Sequence, residues 1–193
     1  MKNMIKNNVE KIKTSEELYI TCYNINKSTN KKIISFSLYN DKDIFNYGLL
    51  VNYELKKKIF KDWIIRVYID DTVNKTFINY IINNMKDIEV IKIECDIPTV
   101  FYRFFVHYDN AVTHFISRDL DSIITPRDEY MVNEWLKTNK QLHLIHEVLP
   151  GHRMKIMAGM FGFKKNINQD FINQGLINNG TINQNDLYNY GPF

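Results

Sequence analysis

The side chains best placed to do chemistry stand together in FISRDLDSIITPRDEY, residues 115–130, where Asp119 and Asp121 follow an apolar run and Arg118 precedes them. Hard cations such as Mg²⁺ and Mn²⁺ take oxygen ligands, and Mg²⁺ is commonly held by one or two carboxylates together with substrate phosphates. Two aspartates at i and i+2 on a turn can divide that work. One binds the cation, and the other holds a bound water or a ribose hydroxyl. Arg118 then offers a charge-assisted contact to a diphosphate. The plain alternative is a polar turn between a strand and a helix, with Arg118 in a surface ion pair worth little.

Two other chemistries compete for this part of the chain. An Asp-x-Asp after a strand also opens the dehalogenase-type phosphatases, with Asp119 as nucleophile and Asp121 as general acid. Here the pair comes after several strand–helix units, Arg118 stands where that motif wants an apolar residue, and Ile123 stands where it usually carries Thr or Val. HLIHEVLPGH, residues 143–152, holds His143, His146 and His152 and begins like the zinc-peptidase pattern H-E-x-x-H. That pattern needs both histidines on one helix face, yet Pro150 occupies the second position and Gly151 follows, so a helix breaks there. His143 and His146 read instead as partly buried strand residues. His152 follows the turn at a strand's carboxyl end and so can face the same crevice as the aspartates.

The elements that must position these groups alternate. KKIISFSLY (31–39), IIRVYID (64–70), IEVIKIEC (88–95) and AVTHFIS (111–117) read as buried strands, and 47–63, 72–85 and 99–108 as helices between them. Such alternation predicts βαβ units with right-handed crossovers, hence an α/β fold: one Rossmann-like domain with a mostly parallel sheet flanked by helices. Ligands in such sheets bind beyond the carboxyl ends of the strands, where the acidic pair falls. Thr125, Pro126 and Asp128 spell a capped helix start, continued by the stripe Met131, Val132, Trp135 and Leu136. QLHLIHEV (141–148) reads as a further strand, MKIMAGMFGF (154–163) as a strand or glycine-rich loop, and 171–177 as a weak helix. The organisation expected is an N-terminal extension (1–30), the α/β domain (31–165) and an Asn-rich tail (166–193).

Composition sets few limits. Hydrophobic residues at 45% and charged residues at 24% are ordinary for a globular protein, and a net charge of +3 gives no electrostatic case for nucleic acid. Cys22 and Cys95 form neither a disulfide framework nor a metal-binding spacing, which points to a reducing compartment. The basic start carries no apolar segment of signal-peptide type, and no window approaches the ~20 apolar residues of a membrane span. A cytoplasmic location is therefore expected, the host cytoplasm or virion if the chain is viral.

With these residues in view, the run from Phe101 to Gly162 resembles a glycosyltransferase-like family of GT-A fold found in bacteria and large viruses. The matching stretches are FYRFFVHYDN, FISRDLDSIITPRDEYMVNEWL, HLIHEVLPGH and KIMAGMFGF, with SFSLY and IIRVYID fitting the first two strands. In the last stretch Ala158 and Phe161 replace a Gly and a Trp of the family pattern.

The resemblance implies a metal-dependent transfer of a sugar from a nucleotide diphosphosugar, UDP-sugar favoured, to a glycan or protein acceptor. By position, Asp119 and Asp121 would hold Mn²⁺ or Mg²⁺, with Asp121 the more direct ligand. Ser37 and Tyr39 would line the nucleotide pocket, and Arg103 and Arg118 would stand near the phosphates or brace the acidic loop. His152 would lie by the donor sugar or the metal, and with Asp121 make up the catalytic groups. Acceptor-side residues are expected beyond the glycine-rich segment, where the Asn-rich tail lies. The alternative is a degenerate domain of the same type that binds nucleotide or glycan without turnover.

Overall fold

Uninterrupted runs of Ile, Val and Phe are satisfied only in strands covered on both faces, and they form the middle of the sheet. The computed structural model describes residues 10–13, 19–146 and 157–165. Its first half runs β1 (Glu10–Lys13), β2 (Tyr19–Tyr23), β3 (Lys31–Leu38), α1 (Asp43–Ile59), β4 (Ile64–Ile69), α2 (Lys75–Asn84) and β5 (Ile88–Glu94). A tight 3-10 helix, Thr99–Tyr108, which we call the aromatic helix, leads to β6 (Val112–Arg118), α3 (Pro126–Leu136), β7 (Leu142–Leu144) and β8 (Met160–Lys164).

These strands form one sheet in the order β1-β2-β5-β4-β3-β6-β8-β7. The four central strands, β5, β4, β3 and β6, are parallel, and antiparallel strands extend the sheet on both sides. The α/β fold expected from the alternation is therefore present. The antiparallel flanks were not anticipated: β1 and β2 come from residues assigned to an N-terminal extension, yet β2 pairs with β5 from Tyr19↔Glu94 to Tyr23↔Val90. Among the described residues no helix is long and apolar enough to cross a membrane.

The chain steps outward from β3 to β4 to β5 with α1 and α2 on one face, then returns past β3 to β6. A crossover that keeps its hand while travelling the other way must lie on the opposite face, and the aromatic helix does. Strand alternation sorts the core accordingly. Ile34, Phe36 and Leu38 of β3 pack with Leu49 and Tyr53 of α1, Ile81 of α2, and Val132 and Trp135 of α3. On the other face Ile33 packs with Tyr102, Phe104 and Val106 of the aromatic helix and with Phe161 and Phe163 of β8.

Two serines fix the aromatic helix to the sheet. Ser35 Oγ donates to the Arg103 carbonyl at 2.6 Å, and Ser37 Oγ accepts from the Arg103 N–H at 3.0 Å. Further along this face Lys31, Arg66 and Glu89, from β3, β4 and β5, are buried together, and Asp109 joins them after the helix. Lys31 Nζ lies 2.8 Å from Glu89, Arg66 Nε 2.6 Å from Glu89, and Arg66 Nη2 2.6 Å from Asp109.

Candidate functional site

The sheet order reverses between β3 and β6, which pair in parallel with Ser35 opposite Ser117. Beyond their carboxyl ends lies the crevice where open α/β sheets take ligands. Asp119 and Asp121 follow β6 into it, as the sequence predicts.

Alternation at the end of β6 sends Arg118 and Asp119 to opposite faces. Asp119 meets the aromatic helix, where Arg103 Nη1 donates to its Oδ1 and also to the Arg118 carbonyl at 3.0 Å. The Arg103 side chain is buried, while Asp119 remains 42% exposed. The other carboxylate oxygen lies against Gly159, in the turn before β8. Asp121 is exposed and makes no hydrogen bond or ion pair among the described residues. One carboxylate is braced and the other is open.

The loop carrying them is clamped from α1. A Cβ on Gly48 would fall 1.8 Å from the Leu120 carbonyl oxygen, so only glycine allows this approach. One turn on, the buried Asn52 donates from Nδ2 to the Ser122 carbonyl at 3.0 Å and accepts from the Ile124 N–H at 2.9 Å. Leu120 and Ile124 are buried beneath. The predicted capping box then closes the loop: Thr125 accepts from Asp128 N–H, and Asp128 accepts from Thr125 N–H at 2.9 Å. A loop held at so many points presents Asp121 with little freedom to rearrange.

The remaining predicted residues are placed as follows. Ser37 is buried and engaged with the backbone of the aromatic helix, donating to the Val100 carbonyl at 3.3 Å, so it braces Arg103 from below. Tyr39 is partly buried at the end of β3, its ring 5.6 Å from that of Phe45. Arg118 is not the surface residue of the plain alternative; it is 4% exposed and turned toward α3, away from Asp119. His152 lies outside the described residues. His143, on β7, is buried and stacked on Trp135 at 5.1 Å, and burial, with Arg118 adding to it, pushes its pKa down to about 4. His146 is exposed, so the two do not converge.

Sequence reasoning missed Gly48, Asn52, Gly159 and Asp70. Asp70, past β4, accepts from Thr72 N–H at 2.9 Å and from the Thr99 hydroxyl, while Thr72 Oγ1 accepts from Asn40 N–H at 2.7 Å. This chain of bonds ties the ends of β3 and β4 to the start of the aromatic helix. Of the four, only Asn52 leaves a signal in the sequence: an amide inside the apolar stripe made by Leu49 and Tyr53.

A hard cation fits this donor set in part. Asp121 can bind directly, and Asp119 has one oxygen already taken by Arg103. Among the described residues no three His, Cys, Asp or Glu side chains gather into a metal-binding group; oxygens of a bound phosphate commonly complete the shell of Mg²⁺. Compared with known proteins, the chain matches no family model and no curated sequence.

Proposed function

We propose that this chain binds a nucleotide diphosphosugar in the crevice beyond β3 and β6 and acts as a glycosyltransferase dependent on Mn²⁺ or Mg²⁺. The observation that carries the reading is Asp121, an open carboxylate on a clamped loop at the point where the strand order reverses. The bound cation would supply Lewis-acid stabilisation of the charge on the departing nucleoside diphosphate. Asp121 would hold it, and Asp119, oriented by Arg103, would accept from a ribose hydroxyl. Tyr39 would border the nucleoside. Preorganisation favours catalysis because groups already in place need not reorient as charge develops.

The bracing of Asp119 favours a second reading, a domain that binds nucleotide or glycan without turnover, since it leaves one open carboxylate. The same ion pair counts against a phosphatase in which Asp119 attacks phosphorus, because that nucleophile must be free. The test is a thermal-shift series with UDP and GDP, with and without Mn²⁺, on the native chain and on Asp121→Asn. A metal-dependent stabilisation that vanishes in the variant supports the donor site. Equal shifts without metal, or none, remove it. Donor hydrolysis or sugar transfer by the native chain then separates the enzyme from the binding domain.

A further inference from the structure

Arg118 is a buried cation whose hydrogen-bonding capacity is largely unused among the described residues. A guanidinium carries five N–H donors in a rigid fork and stays protonated in proteins. Here Nη1 donates to the Ser117 carbonyl at 2.9 Å, and Nη2 reaches Asp128 Oδ1 only at 3.4 Å. Asp128 is itself committed, its Oδ2 accepting from Thr125 N–H at 2.9 Å and from the Thr125 hydroxyl at 2.7 Å. Arg118 Nε has no hydrogen-bond partner among the described residues. Burial lowers the pKa of this group in spite of Asp128 and, more weakly, Asp119, so the surroundings do not fully compensate its charge.

A cleft of about 250 Å³ opens onto this side chain, bordered by Ser122 and Thr125 from the acidic loop and by Gly159 and Met160 from the other side. Arg127 and Asp128 are the other charged residues on its wall, and neither Asp119 nor Asp121 borders it. A buried fork with an idle donor, set beside hydroxyls in a cleft, is the arrangement that receives a planar or tetrahedral oxyanion.

We infer that this cleft is an oxyanion subsite, with Arg118 at its base, for a phosphate- or carboxylate-bearing group of a ligand other than the nucleotide. It lies on the α3 side of the acidic loop, while Asp119 is turned toward the aromatic helix, and neither aspartate borders it. The site does not depend on a cation at Asp121 and stands whether or not the chain transfers sugar.

The experiment follows the Arg118 Nε–H resonance in ¹⁵N-labelled full-length chain during titration with inorganic phosphate, and separately with acetate. Saturable movement with phosphate alone assigns the subsite to a phosphoryl group, and with acetate alone to a carboxylate. Ser122→Asp, which puts a negative charge at the mouth and leaves the buried fork intact, should weaken binding at least about tenfold, as should Arg118→Gln if it folds. Asp121→Asn should leave the anion bound at least as tightly as in the native chain, even if it abolishes nucleotide binding. Absence of movement with both anions would overturn the inference, as would equal affinity in Ser122→Asp or displacement of the anion by UDP with Mn²⁺.

Discussion

Gly159 and Asp119 touch so closely that a Cβ on the glycine would fall 1.9 Å from Asp119 Oδ2 and 3.0 Å from the Asp119 backbone nitrogen. The carboxylate is thus positioned from both sides, by Arg103 and by a residue with no side chain. Gly159→Ala should push the acidic loop off its seat and destabilise the fold by about 1–3 kcal/mol, the usual cost of overpacking. Nucleotide-dependent stabilisation should fall with it. A melting curve and nucleotide response unchanged from the native chain would show that the contact carries no weight.

Asn52→Leu keeps the bulk of the side chain but removes both hydrogen bonds to the loop. The Ser122 carbonyl and the buried Ile124 N–H lose their partners, and a buried unsatisfied group costs about 1–3 kcal/mol. Chemical denaturation should show a loss of at least about that size, with faster hydrogen exchange at the Ile124 amide.

The two aspartates should answer differently to the same change. Asp121→Asn, at an exposed position with no partner among the described residues, should leave apo stability within about 0.5 kcal/mol of the native value. Asp119→Asn removes the charge facing the buried Arg103, and should cost about 1–3 kcal/mol even with no ligand present. Equal apo stabilities for the two variants would contradict the division into a braced and an open carboxylate.

Acid should weaken the fold through His143. Its folded pKa, about 4, lies below the usual value of 6.5 because burial and Arg118 disfavour the imidazolium. The unfolded chain therefore binds the extra proton first. The contribution of neutral His143 is complete above the unfolded value and lost as pH falls from 6.5 toward 4, amounting to about 3 kcal/mol by linkage. His114, lowered by burial and by Lys164 and Lys32, acts in the same direction. His143→Phe preserves stacking on Trp135 and should flatten the stability–pH curve in this window. An unchanged slope would assign the acid sensitivity elsewhere.

The central strands were legible because strands covered on both faces need continuous apolar runs, and β3, β4, β5 and β6 have them. The start of α3 was legible because a capping box is local, spanning Thr125 to Asp128. The edge strands were not: EKIK of β1 has no apolar run, and its pairing is decided by β2 and β5 rather than by its own preference. The acidic pair could be seen, and the resemblance named Arg103 as one possible brace of its loop, but the glycines that complete the support could not be seen. Arg103 lies sixteen positions from Asp119 in the chain, Gly159 forty, and Gly48 seventy-two from Leu120. A glycine required by a distant backbone looks like any other glycine. The facing of Arg118 was fixed by strand parity, which becomes readable only once the last residue of β6 is known.

The cluster of buried Lys31, Arg66 and Glu89 with the part-buried Asp109 has a consequence for how the strands find one another. Arg66 and Glu89 are paired neighbours on β4 and β5. A slip of one residue would swing either charge through the sheet into the apolar layer beneath α1 and α2, away from the partners it has here. Val67, Val90 and their neighbours would tolerate such a slip far better, being nearly interchangeable in shape. The cluster therefore acts as a key for strand register. Its members are two cations and two anions, so the correct alignment is the one that leaves none of them alone, and mispaired forms are disfavoured by several kcal/mol for each stranded ion.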